Sequence, residues 1–416
     1  MKLLKLILNN NILYTVLSIC IRFIDFLLPI KRNFILFHGY GGRYVGNVKA
    51  LYLYYKKQID SDLNPIWLLD EKDMNIFNDS YEFTYSLPSN NSNLFSKIKF
   101  LCVLIKSRVI IVTSIGDIYK YRNMLCKIKH IEVVLFNGSS LKSTGIMAKH
   151  LNKDQKKLWK TKTSRFDLIS ACSRFDKYVI SSGFNVNPEQ IEIMGPQRSD
   201  LVDINSTSKK INKIAKIGSL CKIDNTSSQT FVLYAPTHRD HKAQNSFDFG
   251  MLSNLANFNA KTLNNKLMKL NTHILLRDHL NTNNINSVKR IRETSNIHNF
   301  SNKIISDIDD VIDGFDIVIT DYSGIYLELL DKHQSLAFIP YDLEEYEFLR
   351  GLCLPYDLLA VGPQLNNQDD LINYLRNRKK ADKEYAGKKE YLSNLFFEVQ
   401  KSTSCQKTFQ AIDKMI

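Results

Sequence analysis

Short apolar runs recur along this chain, and each is followed by a polar or glycine-containing loop and then by a helical pattern. Runs of this kind, bounded by loops, are typical of strands buried on both faces of a parallel sheet. They fall into two sets, which predicts two Rossmann-like α/β domains. The first set lies at 34–37, 65–69, 109–112, 131–136 and 191–194, and the second at 231–235, 273–277, 303–305, 316–320 and 335–339.

A polar segment rich in Ser, Lys and Asn separates the two sets, and we interpret residues 206–230 as a linker. Residues 31–205 would form one Rossmann-like domain and residues 231–416 a second that ends in helices. Two such domains facing a central cleft have a GT-B-like architecture, with ligands at the carboxyl ends of the strands. The helices from Gln368 onward would close the second domain or cross back to the first.

Residues 1–30 are apolar with charged residues interspersed. A signal peptide is disfavoured because no small-residue cleavage site precedes the first strand. A spanning helix is disfavoured because Arg22 and Asp25 would lie inside the bilayer. The blocks of apolar and basic residues predict an amphipathic helix that lies on a membrane surface. The alternative is a helix packed on the first domain, and in both cases the rest of the chain would be cytoplasmic.

The chain is basic, with 56 Lys and Arg against 42 Asp and Glu and a net charge of +14. This charge favours an anionic partner, such as nucleic acid, an anionic membrane or a phosphate-rich substrate. No zinc finger, basic zipper or single-strand-binding pattern accompanies it, so nucleic acid is not the expected partner. The seven cysteines form no C-x-x-C pair, which indicates neither a disulfide framework nor a zinc site and suits a reducing cytosol.

The most specific signal is a strand that ends in Thr320 and Asp321 and passes through Ser323 and Gly324 into an apolar helical segment. The free N–H groups and positive end of a helix attract phosphate. The Ser323 hydroxyl could donate to the same group, and Gly324 would allow close approach. Asp321 would repel a phosphate, so we expect it to accept from a ligand hydroxyl or to fix the turn. The alternative is a serine N-cap without a ligand.

Basic side chains follow other strands near the same edge. Thr237 and Arg239 come after the first strand of the second set, and Arg239 could hold a phosphate through two hydrogen bonds. Arg277 and His279 end the next strand, where Arg is a fixed charge and His a donor or proton carrier. Arg198, near the hinge, could reach the donor across the cleft. The alternatives are a surface salt bridge, a structural histidine and an interdomain ion pair.

Two glycine-containing loops of the first domain would hold an acceptor and the base that removes its proton. One begins at His38, which has the right chemistry for a base. The other contains Asn137, Gly138 and Lys142, and Asn137 can orient a hydroxyl but cannot take its proton. Neither loop is a G-x-G-x-x-G fingerprint, and the sequence contains no Walker A motif.

Seven stretches of the chain, taken in order, resemble the motifs of the CDP-glycerol:poly(glycerophosphate) glycerophosphotransferases of teichoic acid and capsule synthesis. The resemblance extends from about residue 34 to residue 351. It implies a GT-B fold and transfer of glycerol phosphate or ribitol phosphate from a CDP-alditol, at the cytoplasmic membrane face. The similar stretches are 41–52, 138–142 (HGTPLK in the family), 195–200 (G-x-P-R-x-D), 234–240 (YAPT-x-R-D), 277–279 (R-x-H-P), 320–323 (TDYSS) and 341–346 (YDLEEY).

Three positions depart from these motifs. Asn137 replaces the HGT histidine, which is a catalytic base in the family, Leu280 replaces the proline after His279, and Gly324 replaces the second serine of TDYSS. The donor half is thus retained, whereas the acceptor side has lost its expected base. His38 is the best candidate to replace it.

The resemblance and the residues predict in-line attack by an acceptor hydroxyl on the alditol-linked phosphate, with CMP leaving. His279, Arg277, Arg239 and Ser323 would stabilise the diphosphate charge, so neither a metal ion nor a cofactor is predicted. The acceptor would be an anionic polymer or a lipid-linked precursor, and the enzyme would lie peripherally on the inner face of the membrane. Two alternatives are a GT-B glycosyltransferase that uses a CMP- or UDP-sugar, and a non-catalytic paralogue suggested by Asn137.

Overall fold

The computed structural model describes residues 11–58, 62–70, 84–87, 94–201, 207–237, 239, 249–277, 291, 293–399 and 402–416. These residues form two α/β domains, each built on a parallel sheet covered by helices. The predicted fold class is therefore confirmed.

Seven strands form the first sheet: β1 (Lys31–His38), β2 (Asn64–Asp70), β3 (Thr84–Leu87), β4 (Ser107–Val112), β5 (Ile131–Val134), β6 (Leu168–Ala171) and β7 (Ile191–Ile193). They are parallel and lie in the order β3-β2-β1-β4-β5-β6-β7. Leu36 and Ile110 pack in the core on one face, while Phe37 and Ile111 pack on the other. Because both faces are covered, these strands read as continuous apolar runs in the sequence.

Five parallel strands form the second sheet: β8 (Thr230–Tyr234), β9 (Thr272–Leu276), β10 (Ile297–Asn299), β11 (Ile317–Thr320) and β12 (Ser335–Phe338). Their order is β10-β9-β8-β11-β12. The predicted strand at 303–305 is wrong, because β10 occupies that edge of the sheet. Ile305 is instead a buried loop residue directly after a turn, and its apolar character reflects packing in the core rather than strand pairing.

The α-helices follow the expected alternation with the strands. They are α1 (Asn11–Leu27), α2 (Gly46–Lys56), α3 (Leu94–Lys106), α4 (Tyr119–Arg122), α5 (Lys153–Thr163), α6 (Arg174–Phe184), α7 (Thr207–Cys221), α8 (Ala260–Lys269), α9 (Leu343–Leu349), α10 (Tyr356–Leu359), α11 (Gln368–Glu384), α12 (Ala386–Phe396) and α13 (Ser404–Asp413). Side chains of Asn152, Ser173, Asn259 and Asn367 cap α5, α6, α8 and α11. The segment interpreted as a linker contains α7, whose Ile217 packs in the core of the second domain.

Short 3₁₀ helices lie in the loops that face the cleft and elsewhere. Their bounds are Tyr40–Gly42, Lys127–Lys129, Gly145–Met147, Pro188–Gln190, Gln197–Leu201, Thr226–Ser228, Gly250–Asn254, Ile308–Asp310, Ile312–Gly314 and Gly324–Leu329. The last of these follows the Thr320–Gly324 turn, where the sequence predicted an apolar helical segment. With six residues it has only a small dipole, so its positive end attracts a phosphate less than a full α-helix would.

The two domains are joined by the end of the chain and by a loop pairing. Helix α13 crosses back to the first domain, where Cys405 and Ile412 enter its core and the Cys405 N–H donates to Asp200 at 2.7 Å. Between the domains, the Cys353 N–H donates to the Leu141 carbonyl at 3.0 Å. The two domains are thus in contact through the C-terminal helix and through a backbone hydrogen bond.

One side of helix α1 packs on the first domain, and its other side is exposed. On the inner side, the buried Asp25 carboxylate accepts from the Cys126 N–H at 2.6 Å and lies 3.0 Å from the buried His130 ring. The outer side exposes an apolar stripe, in which Ile12 and Phe23 are 75% and 63% exposed. Within the described ranges, no helix is long and apolar enough to cross a membrane.

Candidate active site

A pocket of about 180 Å³ lies in the cleft between the two domains. The first domain contributes the start of α2, the loop after β5 and the 3₁₀ helix Gln197–Leu201. The second contributes the ends of β8 and β9, residues 306–309 and the turn after β11. Four residues singled out from the sequence meet here. The polar and charged lining residues, with one glycine, are Gly46, Asn137, Arg198, Arg277, Ser306, Asp307, Asp309 and Ser323.

Arg198 reaches into the pocket from the first domain. Its backbone N–H donates to Asn47 at 2.9 Å, and the Asn47 amide in turn donates to the Phe136 carbonyl, which ties two cleft loops together. Its guanidinium forms an ion pair with Glu328 and lies 3.5 Å from Asp309, both in the second domain. Burial opposes the charged form, but these carboxylates outweigh it and raise the pKa of Arg198. Arg198 is thus a permanent cation shared between two acidic side chains.

Lys49 forms a second interdomain contact beside this one. Its ammonium group donates to Asp307 and to Asp310, each at 2.8 Å. Burial opposes the charge of Lys49, but the two aspartates outweigh it and raise its pKa. Asp307 also caps the short helix that follows, because its other oxygen accepts from the Asp309 N–H at 3.2 Å. The acidic turn is therefore held against the first domain.

Arg277 is a pocket cation that is bound by carbonyl groups. It donates at 3.1 to 3.4 Å to the carbonyls of Phe300, Ile305 and Ser306. Burial lowers the pKa of Arg277 to about 10, although nearby aspartates oppose this effect, so the group is still charged at neutral pH. Among the described residues it has no carboxylate partner within 4 Å. It can therefore accept an anionic ligand without giving up an ion pair.

Ser323 lies in the same pocket. Its hydroxyl does not cap the following 3₁₀ helix, and it forms no hydrogen bond with the residues described. The expected alternative of a serine N-cap is therefore not what the structure shows. A Cβ added at Gly324 would meet no atom within 4 Å, so space for a ligand group exists on this side of the turn.

Arg239 lies outside the pocket, in a buried ion-pair cluster. Its guanidinium donates to Asp342 at 2.9 and 2.8 Å, to Asp321 at 2.9 Å and to the Thr237 carbonyl at 2.7 Å. Three tyrosine rings surround it at 5.0 to 5.2 Å, and they belong to Tyr322, Tyr341 and Tyr346. Burial opposes the charge, but Asp342 and Asp321 outweigh it and raise the pKa of Arg239. The Arg239 guanidinium, which the sequence predicted to bind a phosphate, is thus engaged inside the domain.

The same cluster explains the residues around the Thr320–Gly324 turn. Asp321 accepts from the backbone N–H of Thr237 at 2.8 Å and also from that of Tyr322, so it fixes the turn. The Thr320 hydroxyl donates to the Ala235 carbonyl at 2.7 Å. The Thr237 hydroxyl is buried and has no partner among the residues described. Thr320 and Asp321 thus join the loops after β8 and β11, next to the pocket.

The acceptor-side predictions fall at different places. Asn137 lines the pocket, and a Cβ at Gly46 would lie 2.7 Å from its Oδ1, while Gly46 also has a φ of +70°. Gly138 lies beside the ion pair between Arg198 and Glu328. Lys142 pairs with the second domain through its backbone and lies outside the pocket lining. His38 is 2% exposed, and its Nδ1 lies 3.3 Å from a carbonyl of β2 rather than facing the pocket.

His279 lies outside the residues that the structure describes. Conversely, sequence reasoning missed Asp307, Asp309 and Glu328, which supply the carboxylates of the cleft. The aspartate-rich segment 306–310 directly follows an apolar segment. Polar residues after an apolar run were the sequence pattern that could have indicated these carboxylates.

The two parallel-sheet domains form a GT-B-like fold, and Arg198, Arg277 and Ser323 converge in the cleft between them, where two cations and a hydroxyl suit a phosphorylated ligand. Over residues 20–414 the chain matches the family described as CDP-Glycerol:Poly(glycerophosphate) glycerophosphotransferase, and it belongs to that family. The resemblance drawn from the sequence motifs is confirmed.

The names of two curated relatives refer to teichoic acid synthesis. The chain is 23% identical to the teichoic acid poly(glycerol phosphate) polymerase of Bacillus spizizenii, over 89% of each chain. It is 24% identical to the teichoic acid glycerol-phosphate transferase of Staphylococcus aureus, over 92% of this chain and 94% of that one.

Solved structures show the same fold. The wall teichoic acid polymerase TagF, solved after a soak with CDPG, matches with a TM-score of 0.77 at 20% identity, over 97% of this chain and 92% of that one. The UDP-GlcNAc 2-epimerase of Neisseria meningitidis, bound to UDP-GlcNAc, matches with a TM-score of 0.57 at 11% identity, over 92% of this chain and 100% of that one. At 20% and 11% identity, both likenesses are ones of fold alone.

Proposed function

We propose that this chain transfers glycerol phosphate from CDP-glycerol to a hydroxyl of a teichoic acid polymer and releases CMP. The observation that carries the proposal is the interdomain pocket in which Arg198, Arg277 and Ser323 meet. Membership of the glycerophosphotransferase family and the names of the curated relatives support the choice of donor and polymer. Ribitol phosphate as the transferred group and a capsule polymer as the acceptor are the nearest variations.

The pocket is suited to the charge that develops in this reaction. As CMP leaves, negative charge grows on the oxygen that bridges the two phosphorus atoms, and fixed donors stabilise it. Arg277 has no carboxylate partner among the described residues, so it can bind a phosphate oxygen without losing an ion pair to them, and Ser323 offers a hydroxyl. Arg198 adds a cation from the opposite domain. His279, two residues beyond Arg277, is a further candidate to donate to the leaving group.

CMP release measures this activity directly. Purified protein is incubated with CDP-glycerol, CDP-ribitol, a CMP-sugar and a UDP-sugar, each with a teichoic acid acceptor, and we expect CMP release with CDP-glycerol. Arg277→Gln should lower kcat/KM by roughly 100-fold, the usual cost of losing one charge-stabilising donor. Arg174→Gln is the matched control, because this arginine is exposed and pairs with Glu398 away from the pocket.

The remaining outcomes separate the alternatives. Turnover of the sugar nucleotides alone would replace the proposal by a glycosyltransferase activity. Donor binding without turnover across a panel of acceptors would identify a non-catalytic paralogue.

We also propose that α1 brings the enzyme to the inner face of the cell membrane. Its outward stripe repeats at helical spacing, and a helix with an apolar face of this kind binds at the lipid interface. The net charge of +14 favours an anionic lipid surface. The stripe consists of Ile12, Val16, Ile19, Phe23 and Leu27.

Vesicle binding tests this location. The protein should sediment with anionic vesicles more than with neutral ones, and Phe23→Glu should weaken the binding by about tenfold. Tyr391→Glu, at another exposed aromatic position, is the control. Equal binding by both variants would remove α1 from this role.

A further inference from the structure

Asp309 is the pocket carboxylate that is least engaged by other groups. Within the described residues no donor forms a hydrogen bond with either of its oxygens, and Arg198 Nη1 lies at 3.5 Å, which is long for an N–H···O bond. Asp307 differs, because Lys49 and a backbone N–H occupy its two oxygens at 2.8 and 3.2 Å. Glu328 is engaged by Arg198. Asp309 can therefore accept a hydrogen bond from a ligand without first losing one.

The pocket also requires a proton acceptor, provided that the proposed function holds. A hydroxyl that attacks phosphorus must lose its proton, and a positioned base speeds this step. The amide of Asn137 cannot take a proton, and the two arginines are donors only. The described residues that line the pocket include no histidine. Of the lining side chains that can accept a proton, Asp307 is engaged on both oxygens and Asp309 is not.

We propose that Asp309 is the general base of the transfer reaction. Its carboxylate takes the proton of the acceptor hydroxyl while that oxygen forms a bond to the glycerol-linked phosphorus. The bond from this phosphorus to the bridging oxygen breaks, and its electron pair stays with that oxygen on CMP. Asp309 then gives the proton to solvent, which restores the carboxylate for the next cycle.

The surroundings of Asp309 adjust it to this role. Burial raises the pKa of Asp309 to about 6, and Arg198 opposes this effect while Asp307 and Glu328 add to it. A base is most efficient when its pKa lies near the working pH, and an ordinary aspartate, at about 3.9, would be roughly 100-fold less basic. The charged groups that face it are Arg198, Arg277, Lys332, Asp307 and Glu328.

The variant Asp309→Asn keeps the shape of the side chain and removes the base. We expect kcat to fall by about 10² to 10⁴-fold, with CDP-glycerol affinity, measured by calorimetry, within about threefold of wild type. In the wild type, kcat/KM should fall as the pH drops below the pKa of about 6, because the base becomes protonated. This acid limb should be absent in the residual activity of the variant.

A matched control comes from the same short helix. Asp310 pairs with Lys49 and lies outside the pocket lining, so Asp310→Asn should keep the acid limb. Chemical rescue gives a second readout. Formate should raise the turnover of Asp309→Ala and should leave the turnover of Asp310→Ala unchanged. A residue that only supports the fold would show neither effect.

The outcomes separate this inference from the function on which it rests. Wild-type protein that releases no CMP from CDP-glycerol would overturn both. Wild-type turnover together with an active Asp309→Asn variant, or one that keeps the acid limb, would overturn the role of Asp309 alone. If Asp309→Asn does not fold, the absence of formate rescue in Asp309→Ala decides against the role.

Discussion

Arg239 offers a direct test of whether this arginine holds the second domain together or holds the donor. Arg239→Met keeps much of the apolar side chain but leaves Asp321 and Asp342 buried without their shared cation. Removing one partner of a buried ion pair costs about 3–5 kcal/mol. At about 2–4 °C per kcal/mol for a domain of about 150–250 residues, we expect the melting temperature to fall by roughly 6–20 °C.

Thermal unfolding followed by circular dichroism at neutral pH measures this effect. The exposed Arg174 supplies the control, since Arg174→Met should change stability by less than about 0.5 kcal/mol. Adding Asp342→Asn to Arg239→Met should recover part of the loss, because one of the two stranded charges is removed. If Arg239→Met melts within about 2 °C of wild type but loses its affinity for CDP-glycerol, the structural role is refuted. Arg239 would then be a donor-binding residue.

Two other predictions follow from the same structure. Gly324→Ala should leave the melting temperature unchanged, because the added Cβ meets no protein atom within 4 Å. It should raise the KM for CDP-glycerol by about threefold or more if the donor lies on this turn, and an unchanged KM would place the donor elsewhere. Asp25→Ala leaves the buried His130 without its carboxylate, so it should release α1 and speed proteolysis near Cys126. Asp224→Ala, at an exposed position, should not, and equal cleavage of both variants would contradict the anchoring role.

The fold could be predicted because parallel strands buried on both faces leave continuous apolar runs, as in β1 and β4. Where a polar residue enters such a strand, the signal disappears. Strand β6 was missed because Ser170 interrupts its apolar run. In the structure the Ser170 hydroxyl accepts from the Gln197 amide at 3.3 Å, so its burial is compensated by a partner 27 residues away. That partner belongs to tertiary structure and is not visible in a local pattern.

The site shows the same limit in a sharper form. Arg239 and Arg277 both follow strands of the second sheet, and by position in the sequence either could bind a phosphate. What separates them is Asp342, which lies 103 residues from Arg239 and engages it inside the domain. Among the residues that the structure describes, Arg277 donates to backbone carbonyls and has no carboxylate partner, and it stays in the pocket. The charge of a strand-end residue was predictable, whereas its availability depends on contacts that only the folded chain defines.

Arg198 connects donor binding with the acceptor side of the cleft. It lies between Glu328 and Asp309, and among the nearby charges its attraction is the main effect that lowers the pKa of Asp309. A diphosphate oxygen that draws Arg198 away therefore raises this pKa, so donor binding would make Asp309 a stronger base. Since kcat/KM reports the free enzyme and kcat the bound complex, the acid limb of kcat should lie at higher pH than that of kcat/KM. Coincident limbs would mean that Arg198 keeps its carboxylate partners when the donor is bound, and that the two halves of the cleft act independently.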